Sequence, residues 1–314
     1  MSRDLESIEA ALRRLIEGDP RVVSAPMADL FAAGGKRIRP ALVLLCAHVG
    51  RYDLQLLTPA AMAVELIHAA TLVHDDVIDR APLRRGRPTV AASLGDEPAI
   101  VIGDFYFAKA YEQAAGTDSP AVVALLAQAV MEICAGEVRQ QAIRYRYSTE
   151  VDEYMRRIES KTATLLAACC EIGALLGGLE AKPREALREY GHMLGLAFQI
   201  ADDVLDYTSS EDEVGKPIGH DLVEGFATLP LMIARDDERI AREIAPILVD
   251  GRVLSLDEAR NVAAVVRGGD APQRALDRAR EFASRARAEL EKVPGGAAPQ
   301  ALAALTEYIV SRKS

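Results

Sequence analysis

An all-α fold, built as one large helical bundle over residues 1–314, is what this amino-acid sequence predicts. Three observations lead there. Ala, Leu, Glu and Arg dominate while β-branched runs are rare, a composition of strong helix formers. Apolar residues recur with the helical period almost throughout. No Ser-, Gly- or Pro-rich stretch is long enough for an interdomain linker, and no repeat of solenoid period is visible.

In chain order, the periodicity predicts helices over 4–17, 25–33, 38–49, 58–79, 97–114, 119–146, 151–177, 184–209, 227–248, 255–266, 271–291 and 298–312. Each break has a local cause: Gly34-Gly35, Arg39-Pro40, Thr58-Pro59, Gly86 to Pro88, Gly177-Gly178 and Pro294 onward. Ser119-Pro120 reads as an N-cap followed by Pro at the first helical position.

Half of the residues are hydrophobic, so a sizeable core can be buried. The balance of 37 basic against 47 acidic residues, net −10, repels a nucleic-acid backbone. Cys46, Cys134, Cys169 and Cys170 form no CxxC pair and lie in apolar stretches, as buried free thiols of a reducing cytoplasm would. Met1 to Leu15 is charged and amphipathic, unlike a secretory signal. The apolar stretches are interrupted, as by Glu171, and are expected to fall short of the ~18–20 residues of a membrane span.

Two segments carry the chemistry. Asp75-Asp76-Val77-Ile78-Asp79 and Asp202-Asp203-Val204-Leu205-Asp206 each read DDxxD, and each continues an apolar helical run. Residues four apart share a helix face, so Asp75 pairs with Asp79 and Asp202 with Asp206. Like charges at that spacing, beside apolar surface, need a cation. Magnesium fits: it takes hard oxygen ligands, keeps waters, and bridges carboxylates to phosphates. Two such helices facing each other would bind a diphosphate through metal ions and promote its departure from an ester. A solvated acidic face is the bland alternative, and two copies in matching apolar context weigh against it.

Basic residues accompany the first acidic segment: Arg84-Arg85-Gly86 after Asp79, and Gly34-Gly35-Lys36-Arg37-Ile38-Arg39-Pro40 at another helix junction. Arg forks and helix N-termini both suit phosphate oxygens. Lys161-Thr162 and Lys216 are further candidates. His68 lies seven residues before Asp75 on nearly the same face, whereas His74 points about 100° away and stays outside the site. No Ser-His-Asp or Cys-His arrangement suggests covalent catalysis.

At this point the sequence resembles the trans-isoprenyl diphosphate synthases, in particular their medium- and long-chain members. The matching segments run in order from Gly34 to Pro230: GGKRIRP (34–40), HAATLVHDDVID (68–79), LRRGRPT (83–89), GDF (103–105), GEVRQ (136–140), KTA (161–163), FQIADDVLD (198–206) and GKPIGHDLVEGFATLP (215–230). The resemblance implies an isoprenoid-synthase bundle around a central cavity, a homodimer, magnesium as cofactor, and isopentenyl diphosphate plus an allylic diphosphate as substrates. It implies that Lys36, Arg39, His68 and Arg85 bind the isopentenyl diphosphate. Arg84, Lys161, Thr162, Gln199 and Lys216 would contact the allylic diphosphate, with Lys161 also counted as catalytic. Asp75, Asp79 and Asp202 would be the magnesium ligands, supported by Asp76, Asp203 and Asp206.

One position departs from the pattern: where the family carries Lys after Glu-Gly in its last motif, this chain has Phe226. Weaker hold on the allylic diphosphate is the expectation. The small Ala70 and Thr71, with Ile67 deeper, leave the path before Asp75 open to a growing tail, so a product longer than C20, C30 to C50, is expected. A floor at Met131 or Phe107 is the alternative. A terpene cyclase, a silent synthase subunit and a purely structural helical protein are the competing readings. Six Phe, nine Tyr and no Trp are few for a cyclase, and both acidic motifs are intact.

Overall fold

The computed structural model describes residues 1–208 and 218–311. The described chain falls into two compact units: Met1–Val130, Ala168–Arg188 and Val293–Pro299 in the first; Met131–Ala167, Glu189–Lys292 and Gln300–Ser314 in the second.

The first unit is built on α4 (Leu54–Ile78). Its N-terminus is set by Asp53, whose carboxylate accepts from the N–H groups of Gln55 and Leu56. Pro59 was expected to break the chain but lies inside this helix. Around α4 pack α1 (Ser2–Glu17), α2 (Arg21–Ala32), α3 (Ile38–Ala47), α5 (Val90–Leu94) and above all α6 (Asp96–Ala115). Leu57, Val64, Leu66, Ile67 and Val73 of α4 are fully buried or nearly so. Gly103 permits the close approach of α6, since a Cβ there would come 2.1 Å from His74 Nε2. His74 is thereby spent on packing, with Nε2 3.0 Å from the Ile100 carbonyl oxygen.

Between α4 and α5 lies a hairpin absent from the expectations, β1 (Leu83–Arg84) paired antiparallel with β2 (Arg87–Pro88). Its two loop residues, Arg85 and Gly86, have φ of 52° and 74°, as a type I′ turn requires.

α7 (Pro120–Ala142) passes from the first unit into the second. The helix expected over 151–177 is three pieces: α8 (Val151–Ile158), a π-helical turn over Glu159–Ala163, and α9 (Thr164–Leu176), whose larger part belongs to the first unit. α9 ends at Gly178, whose φ of 72° and the Leu179 N–H to Ala174 carbonyl bond close a left-handed cap.

α10 (Ala181–Thr208) carries the second acidic segment in its last turns. In the second unit it is followed by α11 (His220–Val223), α12 (Leu229–Ala234), α13 (Glu238–Ile244), α14 (Leu256–Arg267), α15 (Ala271–Glu289) and α16 (Ala297–Ser311), whose first residues lie in the other unit. The stretch expected as one helix over 227–248 is two, because Asp237 caps the N–H groups of Arg239 and Ile240 and starts a new one. α12 packs on α15, and Tyr190 of α10 donates to the Leu302 carbonyl of α16 at 2.8 Å.

Two sequence expectations are corrected. By length and hydropathy α4 and α7 reach what a membrane span needs, because their few charges are spaced widely enough to leave an apolar window. Two-thirds of the α4 window is buried inside the protein, against 17% of the α7 window. Cys46, Cys169 and Cys170 are free and buried, but Cys134 is free and exposed, on the outer side of α7.

Candidate active site

The first acidic segment occupies the last turn of α4, with Asp79 as its C-cap. Burial divides its carboxylates. Asp76 is 2% exposed and is gripped by Arg84, whose Nε and Nη2 both stand 2.8 Å from Oδ1. Asp75 and Asp79 remain half-buried at the helix end. The hairpin explains the grip: its tight turn folds Arg84 back over α4 and leaves Arg85 at the exposed tip.

The same unit gathers the basic residues. Arg39 stands on the first turn of α3, half-buried, and its Nε is enclosed without a hydrogen-bond partner. Burial lowers its pKa, against the pull of the Glu65 carboxylate. His68 is driven well below the ordinary imidazole range by burial first, then by the charges of Arg39, Arg85, Arg84 and Arg37. Arg85 is likewise lowered, by burial and then by Arg84 and Arg37. Arg37 is tied internally, Nε to Glu9 and Nη1 to Glu65, each at 2.8 Å. Lys36 is exposed. Cations held this close are stable together only beside anionic charge. Glu65, 4% exposed and absent from the sequence expectations, supplies part of it; a bound diphosphate would supply the rest.

The second acidic segment repeats the division. Asp202 is exposed and Asp203 buried. Asp203 Oδ2 accepts from the Tyr154 hydroxyl and Oδ1 from Gln199 Nε2, both at 2.8 Å. Gln199 in turn accepts from Thr162 Oγ1 at 2.7 Å. Burial, and after it the charge of Asp221, pushes the Asp203 carboxyl up to about 7, against Arg157, Gln199 and Tyr154. Asp206 accepts from the backbone N–H groups of His220 and Asp221. Burial and then Asp221 push it up to about 8. Thr162 and Lys161 come from the π-helical turn, where one extra residue per turn re-aims the side chains. Lys161 Nζ lies 3.5 Å from Glu137 Oε2.

The structure thus assembles Arg39, His68, Arg84 and Arg85 near the first segment, and Thr162 and Gln199 beside the second; Lys36 is exposed, and Lys161, on the same turn as Thr162, lies by Glu137. Lys216 lies outside the described residues. Tyr154, Arg157, Glu65 and Asp221 were not singled out in sequence. Tyr154 and Arg157 precede Lys161 by seven and four residues, a helical spacing that offered a signal. Of the residues considered for tail length, Ile67 and Ala70 are fully buried, while Thr71 is half-buried with its hydroxyl donating to the His68 carbonyl.

Among the described residues no three His, Cys, Asp or Glu side chains form a ready-made metal cage. The donor set still fits magnesium, which binds through one or two carboxylates plus phosphate oxygens and water. In each segment the second aspartate is committed inside the protein; the first is less buried, Asp75 half-buried and Asp202 exposed, while Asp79 is half-buried with Oδ1 enclosed.

A mainly helical chain with two such segments, the first of them beside clustered arginines, is in class an isoprenoid diphosphate enzyme. The comparisons agree. The family model Polyprenyl synthetase matches residues 20–254. Heptaprenyl diphosphate synthase component 2 of Geobacillus stearothermophilus is 39% identical over 99% of this chain and 97% of that protein. Solanesyl diphosphate synthase 1, chloroplastic, of Arabidopsis thaliana is 36% identical over 98% of this chain and 77% of that protein. The crystal structure of a polyprenyl synthase from Caulobacter crescentus, complexed with calcium and isoprenyl diphosphate, superposes with a TM-score of 0.93 at 36% identity, covering 100% of this chain and 96% of the other. This chain belongs to the polyprenyl synthetase family and is a prenyltransferase.

Proposed function

We propose that the enzyme is a magnesium-dependent trans-prenyl diphosphate synthase that condenses isopentenyl diphosphate with an allylic diphosphate to a product longer than C20. The observation that carries the reading is the burial pattern shared by both acidic segments, a buried and hydrogen-bonded second aspartate, Asp76 or Asp203, next to a less buried first one, Asp75 or Asp202. Relatives named for heptaprenyl and solanesyl products support the long chain. A C15 or C20 synthase has less support from those relatives, and a silent subunit has less because both acidic segments are present in full.

Lys36, Arg39, His68 and Arg85 hold the isopentenyl diphosphate, and Arg39 Nε has an unmet hydrogen bond to give. His68, kept neutral, serves as a hydrogen-bonding group and adds no further charge. Lys161, Thr162, Gln199 and Lys216 hold the allylic diphosphate. Arg84 reaches it only if its grip on Asp76 is shared. Asp75, Asp79 and Asp202 hold magnesium, with Asp76, Asp203 and Asp206 as their support. Magnesium, when bound, neutralises the departing diphosphate. No side chain is needed as nucleophile: the isopentenyl double bond forms the new carbon–carbon bond, and the proton lost from the adjacent carbon as the new double bond forms would pass to the departed diphosphate.

The family match draws on both compact units, which supports one synthase domain over 1–314. The cytoplasm fits three buried free cysteines. α7 is apolar yet mostly uncovered, with Met131 65% and Val138 74% exposed. A second copy of the chain covering it makes the enzyme a homodimer.

Single Asp75→Asn and Asp202→Asn variants test the assignment. Each should lower kcat by about a thousandfold or more while circular dichroism stays unchanged, since transition-state charge stabilisation of this kind is worth several kcal/mol. Activity within tenfold of the wild type would remove the metal role from the substituted residue.

A further inference from the structure

Asp203 is bound by more of the protein than a solvated carboxylate needs. One oxygen accepts from Tyr154 and the other from Gln199, each at 2.8 Å, which fixes the plane of the carboxylate. Arg157 Nη2 stands 3.8 Å from Oδ2, close enough for attraction and too far for a direct hydrogen bond. The Arg157 guanidinium lies over two rings, Tyr154 and Phe226, each with 5.3 Å to the centroid. It is held there by stacking, a contact suited to the flat guanidinium.

Phe226 is itself fastened. It is 7% exposed, and its N–H donates to the Asp221 carbonyl at 2.8 Å. Gly225 before it has φ of 89°, and a Cβ there would come 2.4 Å from the Tyr145 ring. Tyr145 N–H donates to the Gly225 carbonyl at 2.8 Å, and Arg144 Nε to the Glu224 carbonyl at 2.7 Å. The Arg144 guanidinium also lies over the Phe226 ring, at 5.5 Å. Phe226 therefore borders two cations, and a third one at this position would meet both.

We propose that Tyr154, Arg157 and Phe226 are positioning residues that hold Asp203, and through it the neighbouring Asp202, in the geometry the metal site requires, with Phe226 as the aromatic wall that keeps Arg157 beside the carboxylate. This rests on the assignment of Asp202 to magnesium. Phe226 is then no gap left by a missing cation but the part that aims a different one. Phe226→Lys should harm the enzyme, because its ammonium would crowd Arg144 and Arg157 and displace Arg157 from Asp203.

The full-length protein with Mn²⁺ and inorganic pyrophosphate provides the test, read by electron paramagnetic resonance titration beside steady-state kinetics. The relevant ions are those lost in Asp202→Asn. Arg157→Gln and Phe226→Leu should each weaken their binding about tenfold, what one charge-assisted contact is worth. The double variant should match the singles instead of multiplying them, because both act through one guanidinium. Arg157→Lys should recover part of the loss, and KM for isopentenyl diphosphate should stay within about twofold of wild type in every variant, as expected for a site that the substitutions do not touch. If Arg157→Gln does not fold, the isosteric Tyr154→Phe takes its place, with the same expected loss. Unchanged Mn²⁺ binding in folded variants, multiplicative losses, or a lower allylic KM in Phe226→Lys would overturn the proposal. Wild-type protein that binds no Mn²⁺ beside pyrophosphate would overturn the metal assignment itself and this proposal with it.

Discussion

At the scale of residues, His68 shows how the site handles charge. Its folded pKa lies well below the ordinary value, so the unfolded chain binds more protons as pH falls through about 6.5. The His68 contribution therefore destabilises the native state on the acid side and is absent at neutral pH. The raised carboxyls of Asp203 and Asp206 act in the opposite direction over the same range, so the prediction is made for the variant: in substrate-free protein, His68→Gln should raise the melting temperature relative to wild type more at pH 5.5 than at pH 7.5. An identical pH dependence in the variant would contradict the neutral imidazole. The Asp76–Arg84 pair makes a second prediction. Removing the guanidinium in Arg84→Gln leaves a buried carboxylate, and should cost about 2–3 kcal/mol of stability, below the fully buried case because Arg84 is 25% exposed. Denaturant melts of variant and wild type measure it. The carboxylates and arginines themselves stood out in sequence by their spacing. Their partners did not: Glu65 sits in an apolar run and Tyr154 in an amphipathic one, and only packing reveals what each touches.

At the scale of elements, the long helices were legible because the 3.6-residue period repeats over many turns. What escaped was short or aperiodic. Two-residue strands leave no alternation to detect, so the Arg84 hairpin has no sequence signal beyond its Arg85-Gly86 turn. The π-helical turn shifts the register by one residue inside an otherwise helical pattern, which periodicity cannot resolve over five residues. Its seat is tight: a Cβ on Gly195 would come 2.4 Å from the Ala163 Cα. Gly195→Ala should displace the turn that carries Lys161 and Thr162, lowering kcat and costing about 1–3 kcal/mol of stability. A variant with wild-type kcat would show that the turn is not needed for catalysis. On α4, the burial pattern moves the chain-length test from Ala70, which is fully enclosed, to Thr71. Thr71→Phe should shorten the product, whereas Ala70→Phe should act first on stability. Mass spectra of both product sets separate the two positions.

At the scale of the whole molecule, α7 is the element that the isolated chain does not explain. An apolar helix left mostly uncovered is a surface waiting for protein. Val138→Lys and Met131→Glu should each convert a homodimer to monomers in sedimentation, with secondary structure retained. A wild-type chain that sediments as a monomer would point instead to a different subunit, and the relative named component 2 makes that outcome informative.

The most direct test of the account is the product itself. Purified enzyme is incubated with isopentenyl diphosphate and each allylic primer from C5 to C20, with magnesium present or chelated, and chain length is read by mass spectrometry. The account predicts a magnesium-dependent ladder ending above C20. A ladder that ends at C15 or C20 would contradict the open path along α4, and product formed under full chelation would contradict the role given to Asp75, Asp79 and Asp202.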